Sequence, residues 1–190
     1  MRVVAGKFGS RRLAGPRGHG LRPTSDRLRE TLFDILQTEV AGSFFVDVYA
    51  GTGAVGIEAL SRGARRVVFL ENHRQALALI RANLGALDIS EAAEVLPLDA
   101  VRGIALLGAR GVTADFIFLD PPYDDRAEYG RAFEALDASP LVSPLTRVIM
   151  ERSSKLVLPE RSGRLFRRRI KEQGDAALDF YAVDAAAPAA

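Results

Sequence analysis

Phe44-Phe45-Val46-Asp47-Val48-Tyr49-Ala50 runs directly into Gly51-Thr52-Gly53-Ala54-Val55-Gly56 and on into Ile57-Glu58-Ala59-Leu60. The first seven residues read as a buried strand, the last four open a helical pattern, and the glycines between them mark a tight turn. Glycine allows the backbone a left-handed conformation and a close approach to a ligand, and the N-terminus of the following helix points N–H groups at it. A nucleoside-containing cofactor is the expected occupant. The letters G-x-G-x-x-G also serve nicotinamide dinucleotides, with an acidic residue about 20 positions on for the ribose hydroxyls. Glu71 fits that role under either reading, because it ends the next strand pattern, Arg66-Val67-Val68-Phe69-Leu70. Asp47 does discriminate: a carboxylate beside the loop suits a cationic sulfonium and ammonium better than a pyrophosphate.

Further along, the apolar run Phe116-Ile117-Phe118-Leu119 ends in Asp120-Pro121-Pro122-Tyr123. Two prolines remove two backbone donors and fix φ near about −65°, so the segment becomes a stiff rack of acceptors. An Asp carboxylate and a Pro carbonyl can accept both hydrogens of an exocyclic base amine, and Tyr123 offers a flat face for stacking. As an isolated tetrapeptide the same string also reads as a strand ending in a proline-stiffened turn. Its place after a buried strand, in a chain that also holds the glycine loop, favours chemistry on an amino group.

Around these two motifs the chain alternates strands and helices. After an N-terminal hairpin, the spacing of Leu28, Leu32, Ile35, Leu36 and Val40 predicts a helix over Asp26–Val40, capped by Thr24, Ser25 or Asp26. Strand Phe45–Tyr49, helix Ala54–Arg62, a strand ending at Glu71, and a helix over Arg74–Leu87 follow. Then come a strand over Glu94–Leu98 leading to Asp99, a short helix, the strand before Asp120, a strand over Arg147–Glu151, and two last strands near Leu165–Ile170 and Leu178–Val183. Repeated β-α units imply an α/β fold with a mostly parallel sheet covered on both faces. In such sheets the ligand crevice opens beyond the C-terminal strand ends where strand order reverses, between the first and fourth strands in this topology, which is where both motifs are expected.

A chain of 190 residues with 48% hydrophobic content suits a single domain with one core. We expect that domain over residues 1–184, with a basic hairpin and helix at 1–43, a core at 44–184 and a disordered Ala/Pro tail at 185–190. The absence of Cys and of a leading apolar stretch argues against disulfides, secretion and a membrane span, so the expected location is the cytoplasm. His19 and His73, the only histidines, lack ligand-spaced companions, and no metal site is expected. Net charge is only +2, yet residues 1–30 carry eight basic side chains against two acidic ones. Arg2, Lys7, Arg11, Arg12, Arg22 and Arg27 are the candidate RNA contacts within that arm, Arg being the side chain that forks onto phosphate. The bland alternative is a solvated terminus. The run Arg161–Lys171 reads as a charged strand protecting the sheet edge, with an extension of the RNA footprint as the alternative, and is left unassigned.

The whole pattern resembles the S-adenosylmethionine-dependent methyltransferases of bacterial small-subunit (16S) rRNA that modify the N2 amine of a guanine. The resemblance rests on the joint order of Arg2-Val3-Val4-Ala5-Gly6, Leu21-Arg22-Pro23-Thr24-Ser25-Asp26-Arg27, Arg29-Glu30-Thr31-Leu32-Phe33, Ala50-Gly51-Thr52-Gly53, Gly56 to Gly63, Asp120 to Tyr123, and Gly174-Asp175. It implies a Rossmann-like class I methyltransferase with a seven-stranded, mostly parallel sheet whose last strand inserts antiparallel. It further implies S-adenosylmethionine held by Asp47, Tyr49, Gly51, Gly53, Glu71, Asn72, Asp99 and Asp120, with Asp99 on the adenine amine. An Asp also serves as a helix N-cap, which is the competing role for Asp99. Asp120, Pro121 and Tyr123 are the implied catalytic residues, acting on the guanine at position 966 of 16S rRNA within the small subunit or its assembly intermediate, as a monomer. His73 departs from the Asp or Asn more usual near the ribose carboxylate. A DNA adenine-N6 methyltransferase shares the D-P-P-Y rack but normally carries a target-recognition region for which this chain has no spare length. A non-catalytic nucleotide- or RNA-binding module is the remaining alternative.

Overall fold

The computed structural model describes residues 1–15, 25–122 and 125–183, and the chain divides after Asp99 into two compact units. Arg22, Tyr123 and the predicted tail lie outside the described residues.

In the first unit, residues 1–13 form the expected hairpin, closed by an antiparallel bridge between Arg2 and Arg12 and by Val3 N–H donating to the Arg11 carbonyl. Helix α1 spans Asp26–Leu36, and Ser25 caps it by accepting from the Leu28 amide at 3.1 Å. The sequence period carries on to Val40, but Gln37 takes φ 46° and the chain continues as a 3-10 turn over Gln37–Val40. Val40 stays fully buried through that turn, so apolar spacing survives where the α-helix does not. Phe33 of α1 stacks on Phe45 at 6.2 Å, which seats the helix on strand β1 (Phe44–Val48).

Strand β1 is buried at all five positions, as a strand covered on both faces must be. It pairs in parallel with β2 (Arg66–Leu70), and β2 with β3 (Ala93–Leu96). Between β1 and β2 lies α2 (Ala54–Ser61), whose eight residues are all buried, Glu58 and Ser61 included. A helix buried all round needs cover on every side. Gly56 admits the sheet, since a Cβ there would stand 2.3 Å from Phe69 Cε1. On another side the N-terminal hairpin lies against the helix. Helix α3 (Arg74–Leu87) presents Ala76, Leu77, Ile80, Leu84 and Leu87 inward, at the spacing expected.

The second unit holds α4 (Ala100–Ala109), β4 (Phe116–Leu119), α5 (Arg126–Asp137), β5 (Arg147–Ser153), β6 (Arg161–Ser162), β7 (Leu165–Gln173) and β8 (Ala176–Val183). Strand β4 pairs in parallel with β5, β8 runs antiparallel to β5, β7 to β8, and β6 to β7. The last strand therefore inserts antiparallel, as expected. Among the described residues the two-residue β6 brings the count to eight rather than seven strands; two residues show no period that a sequence reading could detect. Helix α5, which the sequence reading did not single out, starts at an Asp125 cap and buries Tyr129, Ala132, Phe133 and Leu136. Phe133 meets Tyr181 of β8 edge to face at 5.1 Å.

The basic run 161–171 does more than guard an edge. The Arg164 guanidinium donates to the carbonyls of Leu136, Asp137, Ser139 and Val142, closing the C-terminal end of α5. Arg167 and Arg152 both pair with Asp179, which is fully buried in β8. Among the described residues no helix is long and apolar enough to cross a membrane.

Candidate active site

The tips of β1 and β2 and the turn into α2 form a braced loop. Tyr49 takes φ 62°, a left-handed conformation that costs a bulky residue about 1–2 kcal/mol and marks a place where surrounding structure dictates the backbone. Gly51 and Gly53 follow at φ 55° and 76°. A Cβ at Gly51 would meet only the Tyr49 carbonyl at 3.9 Å. Packing therefore does not demand glycine there; the backbone angle does, and the open space lets a ligand approach the main chain.

Two carboxylates hold this loop. Asp47, almost fully buried, accepts from the Gly56 amide at 2.8 Å and so ties β1 to the first turn of α2. Glu71 Oε2 accepts from the Gly51 amide at 2.8 Å, while its Oε1 accepts from the Asn72 and His73 amides at 2.9 and 2.8 Å. An ionised carboxylate has about four acceptor sites, so Glu71 keeps capacity for a ribose hydroxyl after these three bonds. The His73 departure loses its force here, because the contact is made by its backbone N–H, which any non-proline residue supplies. Asn72 is exposed beside Glu71, and Asp99 is half-buried directly before α4.

In the second unit, Asp120 follows β4 half-buried, Pro121 is buried and Pro122 exposed. The Pro122 carbonyl accepts from the Asp125 amide at 3.0 Å, turning the chain into α5. Tyr129, missed from sequence, lies behind the rack. Its single hydroxyl proton is shared between the Pro121 carbonyl at 3.5 Å and the Glu151 carbonyl at 3.3 Å. Burial, with Asp120 and Glu151 adding to it, raises the Tyr129 hydroxyl well above its ordinary pKa, so it stays a neutral donor. A carbonyl has two lone pairs, and Pro121 retains one for a second donor.

Arg2, Lys7, Arg11, Arg12 and Arg27 are all exposed. Arg29, counted in the basic arm, is fully buried and bonds the Arg2 carbonyl and Asp26 instead, so it fastens α1 to the hairpin rather than facing solvent. The hairpin is docked on α2 chiefly by Glu58. Its buried carboxylate accepts from the Val4 and Ala5 amides at 2.6 and 2.9 Å and from Arg62 Nε at 2.9 Å. Ser61 completes the dock, accepting from the Phe8 amide and donating to the Ala5 carbonyl, while Gly6 passes so close that a Cβ would lie 2.0 Å from the Ser61 carbonyl. The sequence signal for Glu58 was a lone acid within an otherwise apolar helix.

A family model described as Conserved hypothetical protein 95 matches residues 1–182. The chain belongs to that family. Within reach of the Conserved hypothetical protein 95 model, it is 30% identical over 181 residues to a Bacillus subtilis protein named "Putative rRNA methyltransferase YlbH", covering 95% of this chain and 98% of that one. It is 35% identical over 164 residues to "Ribosomal RNA small subunit methyltransferase D" of Haemophilus influenzae, covering 84% and 83%. The match to the Escherichia coli protein of that same name spans 60% of its length. Among solved structures, the "Putative methyltransferase yhhF" of Escherichia coli superposes with a TM-score of 0.85 at 28% identity, covering 97% of this chain and 98% of that one. The fold is that of the class I methyltransferases.

Proposed function

We propose that this protein is an S-adenosylmethionine-dependent methyltransferase that modifies the N2 amine of a guanine in small-subunit rRNA, the position-966 guanine of the resembled family. The observation that carries the reading is the strained, doubly braced loop Tyr49–Gly53, in a family whose relatives are named for small-subunit rRNA methylation. The residues fit the cofactor. Gly51 leaves open space where a Cβ would otherwise stand, and Glu71 is fixed by three backbone amides beside it. Glu71 would hold the ribose hydroxyls, the Gly51–Gly53 backbone the amino-acid portion, and Asp99 the adenine amine. When bound, S-adenosylmethionine supplies an electrophilic methyl group.

The protein's own part is to prepare the nucleophile. Guanine N2 is a poor one, because its lone pair is delocalised into the ring. In this reading the Asp120 carboxylate and the Pro121 carbonyl accept its two N–H bonds and localise that lone pair. Tyr129 holds the Pro121 carbonyl from behind through a hydroxyl that cannot ionise near neutral pH. Tyr123 stacks on the unstacked base, and Asp120 takes up the proton that N2 releases. The exposed Arg2, Lys7, Arg11, Arg12 and Arg27 steer the phosphate backbone, with Arg22. Residues 1–184 would act as one catalytic domain, as a cytoplasmic monomer.

Incubation with radiolabelled donor on naked rRNA, assembled small subunits and duplex DNA, followed by digestion to nucleosides, tests the proposal. Label in N2-methylguanosine from rRNA is expected; equal labelling of DNA, or label in another nucleoside, would overturn it.

A further inference from the structure

Helix α3 buries one polar side chain among its apolar ones. Asn83 is 2% exposed and occupies the inward face between Ile80, Leu84 and Leu87. An apolar residue there would need no hydrogen-bond partners, whereas a buried amide does. Asn83 has three. Its Oδ1 accepts from the Ala14 amide at 2.7 Å, and its Nδ2 donates to the Ala14 carbonyl at 3.1 Å and to the Thr52 carbonyl at 3.0 Å. One side chain therefore grips the basic arm by both polar groups of a single residue and the glycine loop by its central carbonyl. Thr52 lies between the two positive-φ glycines Gly51 and Gly53. The other end of the hairpin reaches the same place, where Thr52 Oγ1 contacts Met1 Sδ at 3.5 Å and the Leu13 amide donates to the Met1 carbonyl.

We propose that Asn83 is a positioning residue that couples docking of the RNA-binding arm to the shape of the cofactor loop, so that RNA and cofactor strengthen each other's binding. This rests on the functional reading above. The physical reason is that Thr52 cannot shift its carbonyl without releasing Asn83, and Asn83 cannot turn without releasing Ala14. Phosphate held by Arg11 and Arg12, three and two residues before Ala14, favours the docked arm and hence the arranged loop. By linkage, a cofactor that favours the arranged loop must favour the docked arm by the same factor.

The test uses the full chain and S-adenosylhomocysteine, which occupies a methyl-donor site without turnover. Its affinity is measured by calorimetry with and without a small-subunit rRNA transcript, for wild type, Asn83→Leu and Asn83→Asp. In the wild type, RNA is expected to tighten S-adenosylhomocysteine binding by about fivefold or more, the usual lower range of coupling between sites. In Asn83→Leu, close to Asn in size but without polar groups, that ratio is expected to fall to near one while RNA still binds. Asn83→Asp keeps the acceptor for the Ala14 amide but sets a carboxylate against the Ala14 and Thr52 carbonyls, and is expected to lose the coupling too. Should the variants fold poorly, hydrogen exchange on the wild type decides: protection of residues 11–15 is expected to rise when S-adenosylhomocysteine binds. An unchanged ratio in both folded variants, or unaltered exchange at 11–15 in the wild type, would overturn the coupling while leaving the methyltransferase reading intact. A wild type that does not bind S-adenosylhomocysteine would overturn both.

Discussion

Replacing Glu58 should loosen the N-terminal arm around Val4 and Ala5 without unfolding the body, since Ser61, Asn83 and Arg29 still hold it elsewhere. The carboxylate is fully buried and serves three donors, two of them backbone amides of the arm. Hydrogen bonds to a charged acceptor contribute about 1.5–3 kcal/mol each, so the two arm bonds together set an upper bound near 6 kcal/mol. The two bonds share one carboxylate and are not additive, so the net cost of detachment is about 2–4 kcal/mol, or roughly 30- to 1,000-fold in the docking equilibrium. Glu58→Ala should therefore speed exchange of the Val4 and Ala5 amides by that factor and make the nearby Lys7 more sensitive to trypsin. Glu58→Gln should fall between, since its amide oxygen serves one arm N–H while its NH2 group opposes the other. Arg62 keeps a weaker partner in Asp34 at 3.9 Å, and the cation stays over the Phe33 ring, so the melting of the body should move little. If the Val4 and Ala5 amides exchange at wild-type rates in Glu58→Ala, the carboxylate does not dock the arm and the reasoning fails.

Gly56→Ala should destabilise the protein by about 1–3 kcal/mol despite the better helix propensity of Ala, because the new methyl would meet Phe69 at 2.3 Å and Val67 at 2.8 Å. Adding Phe69→Leu should recover part of that loss in a thermal melt; a fully stable single variant would contradict the close packing. Replacing Arg11 and Arg12 together with Ala should weaken rRNA binding and lower the magnitude of its log–log salt slope by about 0.7 for each lost phosphate contact. An unchanged slope in filter binding would remove them from the interface. At high pH the fold should weaken. Burial, with Asp179 adding to it, pushes the Tyr181 hydroxyl up to about 12 from 10.0, so between those values the unfolded chain loses a proton that the folded chain keeps. That single group should cost about 2 kcal/mol by pH 12, and Tyr181→Phe should flatten denaturant-derived stability between pH 10 and 12 relative to wild type.

What the sequence could show depended on how local each feature was. Strand β1, its glycine turn and α2 were legible because a continuous apolar run, two turn glycines and a helical period adjoin one another. Ser25 was legible as a cap because capping is a contact over three residues. The end of α1 was not: Leu36-Gln37-Thr38 holds no breaker, yet Gln37 takes a positive φ of 46° and ends the helix. Helix α5 has inward residues at 129, 132, 133 and 136, yet Gly130 and a high share of charged residues weaken its signal. Of the site, Asp47 and Glu71 could be named from their places at strand ends. Their backbone partners could not, since Gly56 and Gly51 are reached only once the turn is built. Glu58, Asn83 and Tyr129 act across gaps that no spacing rule covers. Their one local sign was a polar atom on a face otherwise apolar.

The reading stands most directly on Asp120. Single-turnover methylation of small-subunit rRNA should be measured for Asp120→Ala beside calorimetric titration of the same variant with S-adenosylmethionine. The account predicts turnover reduced by at least about 100-fold, the usual cost of losing one preorganised electrostatic partner, with cofactor affinity weakened far less than turnover. Wild-type turnover at saturating cofactor, with only the affinity weakened, would contradict it.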